Sequence, residues 1–387
     1  MTDPIFTPAE LAEIHAYHRP YYVWAAVNFF VNVGVSVLML RFLVRPLYAR
    51  CERVKIPSKV LARMWRGDSW AAALIFSSAY HAIGTLLYLP ADLYFEFVHE
   101  QAYGMSNYTA ANYAIDSVKQ FGIVVWAMSA VTFGLLGLAR RVRLWWALLG
   151  AIGAVLMLFS AALDPYRARI YFEQKPLPAG ELRDRITALM AKAQIDFRDV
   201  LVEDNDRTTV RLQAYFAGRG PTRTIVLNEA LLKNLTPEEI LAAVAHEAGH
   251  VHEPRWPAMI ASSLALIAFL FGVDRVLRWV QRRGWWGVTE YADVRALPLV
   301  LLVFALCSAA VAPFSAAVSR ERERKADVYG LELTRNADAF TAMLVKAARV
   351  NKMDPDPPYW LVLKGRSHPP VRERLELVEA WKKTNGG

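Results

Sequence analysis

The chain has 387 residues, of which 55% are hydrophobic and 21% charged, with a net charge of +9. An ordinary globular domain is about 45–50% apolar and about 25% charged, so the balance argues against a simple soluble domain. Two cysteines, Cys51 and Cys307, exclude a disulfide framework or a thiolate metal site, and the positive charge flanks apolar blocks as arginine does beside anionic headgroups, with no nucleic-acid-binding module in view.

Residues 1–20 contain Asp3, Glu10 and Glu13. They lack the basic start and short apolar stretch of a cleavable signal, so the first span is expected to stay as an anchor. A helix needs about 20 apolar residues to cross a bilayer core. Six blocks approach that length: 21–44, with only Arg41 near its end; 69–91, 121–139 and 144–163, with no Asp, Glu, Lys or Arg; 256–273; and 296–318, which contains Pro298 and Pro313. The expected architecture is a mainly α membrane protein of about six transmembrane helices, with an α+β region holding a small β-hairpin or sheet. In chain order this gives a polar segment (1–20), four spans (21–163), a soluble α+β region (164–256), two spans (257–318) and a polar C-terminal region (319–387).

Within the soluble region, Leu182, Ile186, Leu189 and Met190 have helical spacing over 182–193. Residues 208–216 alternate like a strand, with Val210, Leu212 and Ala214 on one face. The turn signal Gly218-Arg219-Gly220-Pro221 and a second strand at 223–227 complete a hairpin. A helix start follows: Thr236 caps, Pro237 suits the first position, and Glu239 completes a capping box. The helix passes Ile240, Leu241 and Val244 and is stopped by Pro254 and Pro257.

The last turns of that helix carry His246-Glu247-Ala248-Gly249-His250. Residues four apart share a helix face, so His246 and His250 can grip one metal ion, expected to be a single zinc. Glu247, beside the first ligand, can act as general base toward a water whose pKa zinc lowers to about 7, and later pass the proton to a leaving amine. Ala248 and Gly249 permit close packing near the metal. His252 points elsewhere. Catalytic zinc commonly has three protein ligands, and the run Ser319-Arg320-Glu321-Arg322-Glu323-Arg324-Lys325-Ala326-Asp327 is the candidate source of the third. On a continuing helix Glu323 and Asp327 share a face, so Glu323 could ligate while Asp327 holds a ligand histidine by its second nitrogen. Spacing alone does not choose Glu323 over Glu321.

Taken together, Val244 to His250 and Ser319-Arg320-x-x-Glu323-x-x-x-Asp327 resemble the type I CAAX prenyl endopeptidases and their bacterial relatives. The resemblance extends to residues 89–104 (LPADLYFEFVHEQAYG), to Pro176-Leu177-Pro178-Ala179-Gly180-Glu181-Leu182, and to His368-Pro369-Pro370-Val371-Arg372-Glu373-Arg374, covering residues 20 to 380. It implies zinc ligands at His246, His250 and Glu323, a general base at Glu247, and a supporting acid at Asp327. It further implies that His368 and Arg374 help hold substrate or the developing oxyanion. An extended peptide would pair with Gln213-Ala214-Tyr215 by strand addition, although the family usually has Asn-Ala where this chain has Gln213-Ala214. Larger members have seven spans and enclose an interior chamber, which Asn28, Asn32, Ser77 and His81 would suit. Hydrogen bonding between helices would suit Asn28 and Asn32 equally.

Residues 41–68 hold eight Lys or Arg, and 93–116, read as a loop, hold none. The positive-inside rule therefore puts the catalytic region outside, whereas the resemblance implies cytoplasmic catalysis. The expected partners are the lipid bilayer and a peptide or protein substrate, with prenylated and membrane-associated chains as the candidates. Prenylated C-terminal peptides and misfolded membrane proteins are alternative substrates for the same chemistry. A non-catalytic transporter or scaffold with a vestigial zinc site is the reading from another class. The intact His246, Glu247, His250 and Glu323 argue against it.

Overall fold

The computed structural model describes residues 5–66, 69–157, 172–206, 208–254 and 256–385. Helix α1 (Pro8–Leu38) begins at a capping box: the Glu10 amide donates to Thr7 Oγ1, the Thr7 amide donates to Glu10 Oε2 at 2.7 Å, and Pro8 occupies the first turn. It runs on through Pro20 into a π-helical turn at Met39–Leu43 and then α2 (Val44–Cys51). The boundary expected at residue 20 thus lies inside one continuous helix. Helix α3 (Lys59–Trp65), capped by Ser58, precedes α4 (Trp70–Asp92).

The segment 93–116 departs from the loop expected there. A π turn at Leu93–Val98 and α5 (His99–Ala102) continue α4, and α6 (Ala110–Ala139) starts at the Thr109 cap, well before residue 121. Glu100, within this segment, is satisfied inside the fold. The hydroxyls of Tyr17 and Tyr21 donate to it at 2.6 Å, as does Arg211 Nη2. Helix α7 (Trp145–Met157) is shorter, and residues 158–163 of the expected fourth block lie outside the described residues.

The soluble region forms a four-stranded sheet in the order β1-β2-β4-β3, with β1 (Glu173–Pro176), β2 (Asp199–Asp204), β3 (Ala214–Ala217) and β4 (Thr224–Asn228). Strands β1–β2 and β3–β4 pair antiparallel, and β2–β4 pair parallel. The expected hairpin is therefore present, but its first strand begins at Ala214 rather than at 208. The Asn228 side chain explains the late start: its oxygen accepts from the Gln213 amide at 3.0 Å and its nitrogen donates to Arg211 O at 2.7 Å. That side chain occupies backbone groups that a strand ladder would otherwise use.

Helix α8 (Glu181–Lys192) precedes β2; after the sheet come α9 (Glu229–Asn234) and α10 (Pro237–His252), the latter with the Thr236–Glu239 capping box. Helix α11 (Trp256–Arg283) follows directly. Helix α12 (Leu297–Thr334) is one unbroken helix of 38 residues passing through Pro313. At 1.5 Å per residue it is about 57 Å long, against a bilayer core of about 30 Å. Its last turns therefore leave the membrane as helix, and the expected boundary at 318 falls inside it. The chain ends with α13 (Ala337–Val350), α14 (Tyr359–Gly365) and α15 (Val371–Asn385).

Five helical stretches are long and apolar enough to cross a bilayer: Pro8–Cys51, Trp70–Ala102, Ala110–Ala139, Trp256–Arg283 and Val294–Thr334. The six expected blocks thus become five such stretches and the shorter α7 among the described residues. The soluble core gathers Ile186 and Met190 of α8, Val200, Ile225 and Leu227 of the sheet, Ile240 and Val244 of α10, Leu331 of α12 and Phe340 of α13. Each large side chain buried there contributes about 1.5–3 kcal/mol, and α10 lies at the centre of the cluster.

Candidate metal centre

The site forms where α10 crosses α12. The two backbones come unusually close: a Cβ on Gly249 would lie 2.7 Å from Ala326 Cα, and one on Gly330 would lie 3.1 Å from the His246 nitrogen. Only residues without a side chain allow this approach, and it carries Glu323 to the two histidines. His246 Nε2 lies 3.4 Å from Glu323 Oε2, and His250 Nε2 lies 3.4 Å from Glu323 Oε1. The rings of His246 and His250 stand nearly perpendicular, at 88°. The three donor atoms fall within 4.8 Å of one another.

Three observations test whether these residues fit a metal. Glu323 Oε2 is buried with no hydrogen-bond partner, a costly state unless a cation satisfies it. Both ring Nδ1 atoms are already used: His246 with Asp327 Oδ1 at 2.8 Å and His250 with Glu253 Oε1 at 3.1 Å. Each histidine thereby presents Nε2 to the cluster. Last, arms of 2.0–2.1 Å in a tetrahedral site imply ligand-to-ligand edges of about 3.3–3.4 Å, and each histidine Nε2 lies 3.4 Å from a Glu323 oxygen. The donor set fits.

Burial disfavours a charged His246, but Asp327 and Glu323 outweigh it and raise the imidazole to about 9 in the metal-free chain. His250 is raised as well: burial opposes the shift and Glu323 drives it. A cation at Nε2 must displace that proton. Burial pushes the Glu247 carboxyl above the usual carboxylate range, with His246 and His250 partly offsetting it. Among the described residues the Glu247 side chain makes no hydrogen bond, so its oxygens are free to take a proton.

The remaining sequence-derived residues divide. Asp327 is fully buried against His246 as expected. Arg374 grips Asp327 through two bonds, Nε to Oδ2 at 2.8 Å and Nη2 to Oδ1 at 2.6 Å. It thus sits behind His246 on the Nδ1 side. His368 is half-exposed, with Nε2 3.5 Å from Glu323 Oε2. Ala214 and Tyr215 lie on β3, an edge strand with one free side among the described residues, packed on α10. Gln213 precedes β3. Its Oε1 accepts from Asn205 at 3.0 Å and is turned back into the sheet, so it does not extend along the free edge. His252 turns away and bonds Ala193 O at 3.1 Å. Asn32 bonds both Asn28, at 2.7 Å, and the Tyr88 hydroxyl.

Sequence reasoning missed two residues. Glu253, three past His250, orients its ring and is itself held by Arg322. Arg320 donates to Val362 O at 2.8 Å and Arg366 O at 2.9 Å, fixing the segment before His368. The acid just beyond the helix end was the available signal for the first. Glu253→Ala is expected to weaken metal affinity by about 10–100-fold, read by chelator competition; unchanged affinity would remove Glu253 from this role.

Two cavities adjoin beside α1, α4 and the π turn at Leu93–Val98. One of about 440 Å³ is lined by Tyr21, Trp24, Phe95 and Arg211, and one of about 570 Å³ by Tyr88, Leu89, Phe121 and Val124. Asp92 and Glu96 border both.

Fold and site define a membrane-embedded metalloendopeptidase. Residues 176–382 match the family described as Peptidase family M48, and residues 3–168 match that described as CAAX prenyl protease N-terminal, five membrane helices. The uncharacterized metalloprotease YhfN of Bacillus subtilis is 30% identical over 380 residues, covering 96% of this chain and 86% of that protein. CAAX prenyl protease 1 of Saccharomyces cerevisiae is 23% identical over 330 residues, 80% of this chain and 72% of its own. The crystal structure of S. mikatae Ste24p shares the fold, with a TM-score of 0.84 at 18% identity, covering 97% of this chain and 90% of that one. The chain belongs to peptidase family M48.

Proposed function

We propose that the metal is zinc, held by His246, His250 and Glu323, and that Glu247 is the general base of peptide-bond hydrolysis. The observation that carries this reading is the Glu323 carboxylate, with one oxygen orphaned, facing the Nε2 atoms of His246 and His250, whose rings are fixed from behind. The nitrogen and oxygen donor set suits zinc. When bound, zinc polarises a water and the substrate carbonyl. The chain's own residues then have separable tasks. Glu247 accepts a proton at its free carboxylate and returns it to the leaving amine. Asp327 and Glu253 keep the imidazoles in one tautomer, and Arg374 acts through Asp327 as a positioning residue. His368, at the open side of the cluster, faces the substrate.

The substrate in this reading is an extended peptide paired along the free side of β3 at Ala214 and Tyr215, with main-chain bonds providing affinity. The larger cavity, lined by Leu86, Leu89, Val118, Phe121 and Val124, would accept an apolar group attached to that peptide. Relatives named CAAX prenyl protease make a prenyl chain the first group to test. Purified protein stripped by chelation should lose peptide cleavage and regain it with one equivalent of zinc. Product peptides read by mass spectrometry, with and without a prenyl group, identify the substrate class. Faster cleavage of the prenylated peptide supports the assignment, and equal rates favour unmodified membrane polypeptides. Cleavage that survives complete metal removal refutes the zinc mechanism.

A further inference from the structure

The end of the bundle remote from the metal carries a second cluster that peptide hydrolysis does not use. Arg41, Arg45 and Arg283 line one cavity of about 530 Å³ with Gly284, Trp285 and Trp286. Its position follows from topology: α11 starts beside the catalytic helix at Trp256 and reaches Arg283 after 28 residues, about 42 Å away. Helix α2, which carries Arg45, packs against the Trp285–Gly287 turn and forms one wall of the cavity.

The arginines at this end of the bundle divide. Arg275 and Arg278 are matched with Asp274, Arg295 with Asp293 at 2.6 Å, and Arg140 with Glu290 at 2.9 Å, whereas others are unpaired, and three of the unpaired ones converge on this one cavity. Among the described residues Arg41, Arg45 and Arg283 make no ion pair or hydrogen bond, and no carboxylate lines their cavity. Three like charges converge there with no carboxylate partner among the described residues; Arg41 lies over the Phe42 ring at 5.2 Å. The backbone is also specialised on both sides. Arg41 sits in the π turn Met39–Leu43, an insertion that re-aims side chains and recurs at functional sites. Trp286 adopts a left-handed φ of 55° between Gly284 at 61° and Gly287 at 76°, a strained state for a bulky residue. A merely solvated arginine row would require neither feature. Trp279 and Trp285 pack edge to face with ring centroids 4.3 Å apart, as suits the headgroup level, where tryptophan concentrates.

We propose that this cavity binds the phosphate of an anionic phospholipid headgroup, with Arg41, Arg45 and Arg283 as its ligands and Trp285 and Trp286 bordering the glycerol. Guanidinium groups suit phosphate oxygens by charge and geometry. The place of the cavity at the ends of two spanning helices puts it where lipid, rather than a free phosphate ester, is abundant.

The test is native mass spectrometry of the full chain in detergent, titrated with phosphatidylglycerol, phosphatidylcholine and soluble glycerol 3-phosphate. Each arginine removed should weaken phosphatidylglycerol binding about fivefold, so R41Q/R45Q/R283Q should lose the adduct. R50Q/R53Q, in the same basic stretch but outside the cavity, should keep it, and both should keep metal content. Where the triple variant does not fold, Arg283→Gln alone is read for its fivefold loss. Glycerol 3-phosphate binding that disappears in the variant while both lipids bind indifferently overturns the lipid assignment in favour of a soluble phosphate ester. Equal loss in the control and cavity variants, or no loss in either, overturns the proposal.

Discussion

Glu247→Gln is expected to lower turnover by about 10²–10⁴-fold while leaving metal content unchanged. Glutamine matches glutamate in size but cannot accept a proton at the amide oxygen under these conditions. Residue 247 makes no hydrogen bond among the described residues, so the exchange breaks no contact that positions His246 or His250. Metal analysis and peptide cleavage on the same preparation separate the outcomes. Loss of both would make Glu247 part of the scaffold, and full activity would remove it from the reaction.

Gly249→Ala should have an effect of similar size by an unrelated route. The new Cβ would lie 2.7 Å from Ala326 Cα and 3.2 Å from Ala326 O. Both are backbone atoms that cannot rotate aside, so α10 and α12 must part. Metal–ligand bonds tolerate only about 0.2 Å, and Glu323 rides on the helix that moves. The expected result is loss of bound metal together with about 1–3 kcal/mol of stability, although no ligand has changed. Gly330→Ala is the graded comparison. Its closest contact, 2.8 Å, is the Phe340 ring edge, which can shift, and the His246 backbone comes next at 3.1 Å. Metal occupancy should therefore fall further in the first variant than in the second. Equal, full occupancy in both would mean that helix separation does not set the ligand geometry.

What the sequence made legible follows from how far each feature reaches along the chain. The capping box at Thr236, the two histidines one turn apart and the stop before Pro254 are local, and all three hold. The proposed third ligand was not local. Glu321 and Glu323 are equivalent by spacing; the family resemblance favours Glu323, and the crossing at Gly249 and Ala326 brings it to the histidines. Strands β1 and β2 went unseen because β2 is parallel to β4 and depends on a partner 25 residues away, while β1 is polar and ends in proline. The segment 93–116 reads as a loop between apolar blocks, and the partners that hold its first part as helix are distant in sequence: the donors to Glu100 lie on α1 and before β3. Glu253 escaped notice because its task depends on a side chain turning back from beyond the helix end.

Helix α12 is continuous from Leu297 through Glu323 to Thr334, so it works as an indexing shaft: its angular phase is set in the bilayer and read out at the metal. One residue inserted between Pro313 and Arg320 would advance everything downstream by about 100°. With the membrane end fixed by packing, Glu323 would swing off the histidine pair, although every ligand, second-sphere acid and glycine remained in the chain. The same insertion in the turn between α11 and α12 adds no phase to the shaft. Tolerance to length change should therefore switch from permissive to absolute within a few tens of residues, at the point where the chain enters α12.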